Sequence, residues 1–218
     1  MKIADIPAVE RILKREYAKH QAPIVELTRS RADDPFQILV TTILSSRTKD
    51  ETTAEVSRRL FDVVRKPHDF DKLSIRQLEK LIFPIGFYHT KARRLKQLPG
   101  VLDRLFGGRV PDRIEDLVEL PGVGRKVANL VRAVAFDKPA ICVDVHVHRI
   151  CNRLGLLKTK DPFETEMALR RILPIRYWIT WNSYLVSFGQ TLCAPAGPRC
   201  NLCPLARRCG RVGVVRHR

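Results

Sequence analysis

Almost every apolar stretch of this chain repeats its hydrophobic side chains every three to four residues, and strand-like alternation is scarce. That periodicity points to an all-α fold. Ile6, Val9, Ile12 and Leu13 mark a first amphipathic helix over about 6–19. Pro35 opens a very apolar one through Phe36, Ile38, Leu39, Val40, Ile43 and Leu44, because its missing N–H costs nothing in a first turn. Val56, Leu60, Phe61 and Val64 form the stripe of a helix over 50–64. Ser74 and Gln77 have capping-box spacing for a short helix ending near Pro84, and a basic helix over 89–106 stops at Gly107-Gly108. Further helices are expected over 112–120, 125–136, 144–154, 162–173 and 177–192. Val110 and the apolar run 140–143 are too brief to suggest a sheet. No low-complexity tether divides the chain, so any division into domains must come from packing.

Charge narrows the partners. Forty Lys and Arg oppose 23 Asp and Glu, a net +17 on a chain of 218 residues. Hydrophobic residues make up 44%, which is globular composition and excludes a disordered basic tail. Such an excess favours a polyanionic partner, since neutralising phosphates releases counterions. No apolar run reaches the roughly 18–20 residues that cross a bilayer, and no signal-type segment opens the chain. A cytoplasmic, nucleoid-associated protein that works without a membrane is the expectation.

Four of the six cysteines, Cys193, Cys200, Cys203 and Cys209, follow the pattern C-x6-C-x2-C-x5-C. Four soft thiolates so spaced can surround zinc or a [4Fe–4S] cluster, and in an intracellular-looking chain either outranks disulfides. The segment from Cys193 to Arg218 carries Arg199, Arg207, Arg208, Arg211, Arg216 and Arg218 and no acidic residue. A metal loop this basic suits a phosphate backbone. Cys142 and Cys151 lie in apolar surroundings and read as buried structural thiols.

The most informative stretch is Leu120-Pro121-Gly122-Val123-Gly124-Arg125-Lys126. Gly122 and Gly124 permit a tight bend between two helices, and the N–H groups opening the second helix can hold a phosphate oxygen. This is the content of a helix-hairpin-helix element, which grips a nucleic-acid backbone without reading bases. Lys126 sits in the first turn, at the positive end of the helix dipole, where its free amine is favoured and can act as a nucleophile. Asp144 follows the apolar run and opens another helix. It reads both as an N-cap and as a carboxylate able to stabilise an oxocarbenium-like sugar.

Taken together, Leu120–Lys126 with Ala128-Asn129, Val143-Asp144, His146, Arg149, Cys151-Asn152-Arg153 and the four-cysteine spacing closely resemble the endonuclease III family of DNA glycosylases. Similarity also covers residues 36–50, with Ser45-Ser46-Arg47-Thr48-Lys49, and Ile85-Gly86-Phe87-Tyr88 with Lys91-Ala92. The resemblance implies two all-α lobes with a DNA cleft between them: residues 27–136, and residues 1–26 with 137–218, closed by a [4Fe–4S] loop over 193–209. It implies a bifunctional DNA glycosylase and abasic-site lyase that excises oxidised pyrimidines from duplex DNA as a monomer. Lys126 would be the nucleophile, Asp144 the catalytic carboxylate, and Cys193, Cys200, Cys203 and Cys209 the cluster ligands. Gly122 and Gly124 would hold phosphate, Arg47 and Phe87 would enter the duplex, and Lys91, Arg125, Arg149 and Arg153, with His146, would contact DNA. Two positions depart from the family pattern: Arg47 stands where Gln is common, and Val145 where Thr is usual. A mismatch-specific thymine or uracil glycosylase is the alternative on the same fold. A non-catalytic DNA-binding protein with a four-cysteine metal loop is the alternative outside it.

Overall fold

A computed structural model of the protein describes residues 1–20 and 34–218. Ten α-helices and no β-strand are found among the described residues. They fall into two compact units, one built from the N-terminal stretch with Pro139–Arg218 and the other from the intervening chain up to Lys138. The expected boundary near residue 26 lies outside the described residues.

The central unit contains α2 (Pro35–Ser45), α3 (Asp50–Phe61), α4 (Ile75–Ile82), α5 (Tyr88–Phe106), α6 (Ile114–Leu117) and α7 (Arg125–Phe136). Asp34 caps α2 by accepting from the Phe36 N–H, and Pro35 takes the first helical position. Because α2 is apolar on nearly every face, it is buried from Phe36 to Leu44 apart from Gln37 and packs against α3, α5 and α7. Leu39, Val40, Leu60, Phe70, Leu95, Leu98 and Val131 belong to the core around it. The Ser74–Gln77 capping box forms at the start of α4.

Two expected helices are shorter than the stripe that announced them. The helix expected over 112–120 is the single turn α6, and beyond it the chain tightens: the N–H groups of Glu119 and Leu120 donate to the carbonyls of Asp116 and Leu117, three residues back. The helix expected over 50–64 ends at Phe61, although Val64 still reaches the core.

The second unit contains α1 (Ile6–Tyr17), α8 (Val145–Arg153), α9 (Pro162–Ile172) and α10 (Trp178–Thr191), followed by an irregular segment to Arg218. Helix α10 packs against α1 and α8, and α9 packs against α8. Trp181 is wholly buried in this core with Leu13, Ile150 and Leu185. Cys142 and Cys151 lie in the interior, and burial pushes the Cys151 thiol up to about 12.

The expected closure of this unit by a [4Fe–4S] loop is corrected by the structure. Cys193, Cys200, Cys203 and Cys209 line one small apolar cavity, yet no group of three or more His, Cys, Asp or Glu among the described residues is arranged to hold a metal ion. Two of the sulfurs are engaged with protein instead. Cys209 donates to the Arg153 carbonyl (3.3 Å) and accepts from the Arg211 N–H (3.3 Å), while Cys193 accepts from Arg153 Nη1 (3.5 Å). Burial raises the Cys203 thiol to about 11 and the Cys209 thiol in the same direction. The fold is therefore two all-α units, one carrying the glycine hairpin, without the expected cluster.

Candidate active site

The hairpin forms as its composition demands. Gly122 adopts φ +85°, a left-handed backbone that calls for glycine, and a Cβ there would lie 3.0 Å from Cδ of the exposed Arg94 side chain. The Val123 N–H donates to the Leu120 carbonyl (3.1 Å) and closes the turn, while the Val123 side chain packs into the core. Gly124 is different: its backbone is extended and a Cβ would meet no protein atom within 4 Å. As the N-cap of α7 it contributes no side-chain hydrogen bond. Arg125 and Lys126 follow as the first two residues of the helix, both exposed. On the inner face of α7, the buried Asn129 amide donates to the Arg125 carbonyl (3.0 Å) and stiffens this first turn.

Asp144 starts α8 in the second unit. Buried Ile141 and Val143 anchor the extended approach, and one carboxylate oxygen accepts from the His146 N–H (2.8 Å) and the Val147 N–H (3.0 Å). The carboxylate is thus held in one orientation while the residue stays half-buried. Arg149 attracts Asp144 electrostatically, and burial lowers the pKa of its guanidinium despite opposing pulls from Cys193 and Asp144. Its Nη2 lies 3.1 Å from His146 Nδ1 and donates to the Cys193 carbonyl (2.9 Å). Arg153 donates to the carbonyls of Ala194 (2.7 Å) and Pro195 (2.7 Å). Both arginines therefore tie α8 to the start of the cysteine segment. Arg207 and Arg208 are exposed, and Arg208 lines a basic groove with Arg11, Lys14 and Arg15 of α1.

Back in the central unit, two loops stand side by side. Arg47 follows α2 with φ 54°, and Phe87 precedes α5 with φ 60° and 61% of its surface exposed. The Arg47 guanidinium lies 5.3 Å from the Phe87 ring centroid, a cation–π stack. Lys91, expected at a phosphate, is only 6% exposed, and its Nζ donates to the carbonyls of Leu44 (2.8 Å) and Ser46 (2.6 Å). Burial pulls its pKa down to about 8. The sequence held a signal for this placement: Lys91 falls on the stripe of Leu95, Leu98 and Leu102, the buried face of α5.

Comparison with known proteins identifies the relatives of this chain. Residues 40–174 match the HhH-GPD superfamily base excision DNA repair protein family. The chain is 48% identical over 176 residues to endonuclease III of Thermotoga maritima, covering 81% of this chain and 83% of that protein. Among solved structures, it resembles a trapped endonuclease III–DNA covalent intermediate in an estranged-adenine complex (TM-score 0.78, 38% identity, 82% of this chain and 84% of that one). It also resembles a thermostable thymine-DNA glycosylase (TM-score 0.80, 28% identity, 93% and 94% covered). No helix among the described residues is long and apolar enough to cross a membrane.

Proposed function

The chain belongs to the endonuclease III family within the HhH-GPD superfamily, and on that premise we propose that Lys126 and Asp144 carry out its chemistry on oxidised pyrimidines in duplex DNA. It is a bifunctional DNA glycosylase and abasic-site lyase that acts on damaged bases. We further infer that it works as a monomer at the nucleoid.

The observation that carries the site assignment is the start of α7: a glycine cap with Lys126 exposed in the first turn. A phosphate oxygen approaching this end meets backbone donors and the positive pole of the helix, with no cap side chain in competition. Arg47 and Phe87 enter the duplex, where an aromatic ring can part stacked bases and a guanidinium can hydrogen-bond the unpaired partner. Flipping costs about a few kcal/mol and is cheapest at a lesion that already stacks badly, which is one source of selectivity.

Chemistry then follows from the Lys126 side chain as nucleophile. Once the Lys126 ammonium has lost a proton to solvent, its nitrogen attacks C1′, the C1′–N bond to the base breaks, and the base leaves with the bonding pair and takes up a proton from solvent. The C1′–O4′ bond then breaks, O4′ takes up a proton from the nitrogen, and a protonated imine remains between Lys126 and C1′. That imine acidifies C2′; loss of a C2′ proton and expulsion of the 3′ phosphate complete β-elimination, and hydrolysis frees the lysine. Asp144 supports the positive charge that builds on the sugar.

Borohydride reduction tests this directly. Wild-type protein should give a covalent adduct with DNA containing an abasic site, and Lys126→Gln should give none while still binding that DNA. A glycosylase restricted to mismatched thymine or uracil, the reading favoured by the thymine-DNA glycosylase likeness, would excise from G·T or G·U duplexes and leave oxidised pyrimidines untouched.

A further inference from the structure

Two side chains in left-handed backbone stand in adjacent loops, Arg47 at φ 54° and Phe87 at φ 60°. For ordinary residues that conformation is strained and persists only where the surroundings impose it. Here the surroundings are explicit. Helix α2 ends at Ser45, and the carbonyls of Leu44 and Ser46 both accept from Lys91 Nζ, at 2.8 and 2.6 Å. The Gly86 N–H donates to Thr48 Oγ1 (3.1 Å), joining the second loop to the first. Gly86 also lies flush against Arg47: a Cβ there would sit 2.5 Å from the Arg47 carbonyl oxygen.

A lysine is a costly way to fill that interior position. The neighbouring members of the same buried stripe, Leu95, Leu98 and Leu102, are apolar, and burying an ammonium is unfavourable unless it is well hydrogen-bonded. What the ammonium supplies and a leucine could not is a pair of strong donors at a helix C-terminus, where a cation also suits the dipole.

We propose that Lys91 is a positioning residue for excision from duplex DNA. By holding the carbonyls of Leu44 and Ser46 it keeps residues 45–48 in the shape that lays Arg47 on Phe87, so that the two side chains enter the helix as one rigid piece. The inference rests on the reading of Arg47 and Phe87 as the residues that enter the duplex. Its benefit is preorganisation: an arginine already stacked loses less side-chain freedom on insertion than a loose one.

The experiment compares Lys91→Met, Gly86→Ala, Phe87→Ala and the Lys91→Met/Phe87→Ala double variant. Each is assayed for single-turnover release of an oxidised pyrimidine from duplex DNA and for borohydride trapping on a single-stranded abasic oligonucleotide, which has no paired base to displace. Lys91→Met should slow duplex excision by about ten- to a hundredfold and leave single-strand trapping within about twofold of wild type. Gly86→Ala, which disturbs the loop pair without touching the ammonium, should give the same split. The double variant should lose less than the product of the two single effects, because the Arg47–Phe87 stack that Lys91 maintains is already gone. A folded Lys91→Met protein with wild-type duplex rates, equal losses on both substrates, or effects that multiply in the double variant would overturn the proposal. If Lys91→Met does not fold, Lys91→Gln, which keeps a shorter donor on the same stem, is assayed for the same split, and wild-type duplex rates or equal losses on both substrates in that variant overturn the proposal. Wild-type protein that forms no adduct on either substrate overturns the lyase reading and this inference with it, a result distinct from any difference among variants.

Discussion

The two side chains assigned to the reaction stand at helix starts that are built in opposite ways. Helix α7 begins at Gly124, which brings no cap, and Lys126 follows in its first turn. Helix α8 begins at Asp144, whose carboxylate accepts two backbone N–H groups of that helix. Capping stabilises a helix by about 1 kcal/mol, yet it also fills the place where an external anion would bind. The chain caps the end whose task requires a fixed carboxylate, and leaves uncapped the end suited to phosphate.

Four substitutions test this contrast, from the largest effect downward. Lys126→Gln removes the nucleophile and should reduce the borohydride-trapped adduct below detection, with DNA affinity retained in a gel-shift titration. Asp144→Asn should lower single-turnover base release by roughly 10²–10³-fold while hardly moving Tm, because asparagine caps as well as aspartate. Asp144→Ala should match that loss of activity and also forfeit the cap, about 1 kcal/mol, which a melting curve should show as a drop in Tm of about 2–4 °C. Equal Tm values for the Asn and Ala variants would mean that the carboxylate does not cap the helix in solution.

Gly124→Ser is the most delicate. Serine fits the extended backbone and empty surroundings at this position, so it should raise stability by a few tenths of a kcal/mol, roughly 1 °C or less in Tm. The new hydroxyl would compete for the same backbone donors as DNA phosphate, and the dissociation constant should rise by about threefold, a few tenths to 1 kcal/mol. A serine variant that binds DNA as tightly as wild type would separate the glycine from phosphate binding.

Three cations show where reading along the chain reached its limit. Lys91, Arg149 and Arg153 all looked like phosphate contacts in a strongly basic protein. Each also donates to backbone carbonyls: Lys91 at the end of α2, and Arg149 and Arg153 at the cysteine segment. Sequence registers the charge but not which unsatisfied carbonyls lie within reach once helices pack. For Lys91 the apolar stripe of α5 was a legible hint. For Arg149 and Arg153 the acceptors lie some forty residues away along the chain, so no local pattern could reveal them. The cysteine spacing taught the same lesson: proximity along the chain placed four sulfurs around one cavity without arranging them as a ligand set.

Helix periods, Pro35 at a first turn, the Ser74–Gln77 box, the Gly122 bend and the Asp144 cap were all legible in the amino-acid order, because each depends on residues within about one helical turn. Only the tertiary structure decided which cations turned inward, that Arg47 lies on Phe87, and how the cysteine sulfurs find their partners. Those outcomes depend on groups brought together from distant parts of the chain, where burial makes an unmet hydrogen bond more costly than it could ever be in an isolated segment.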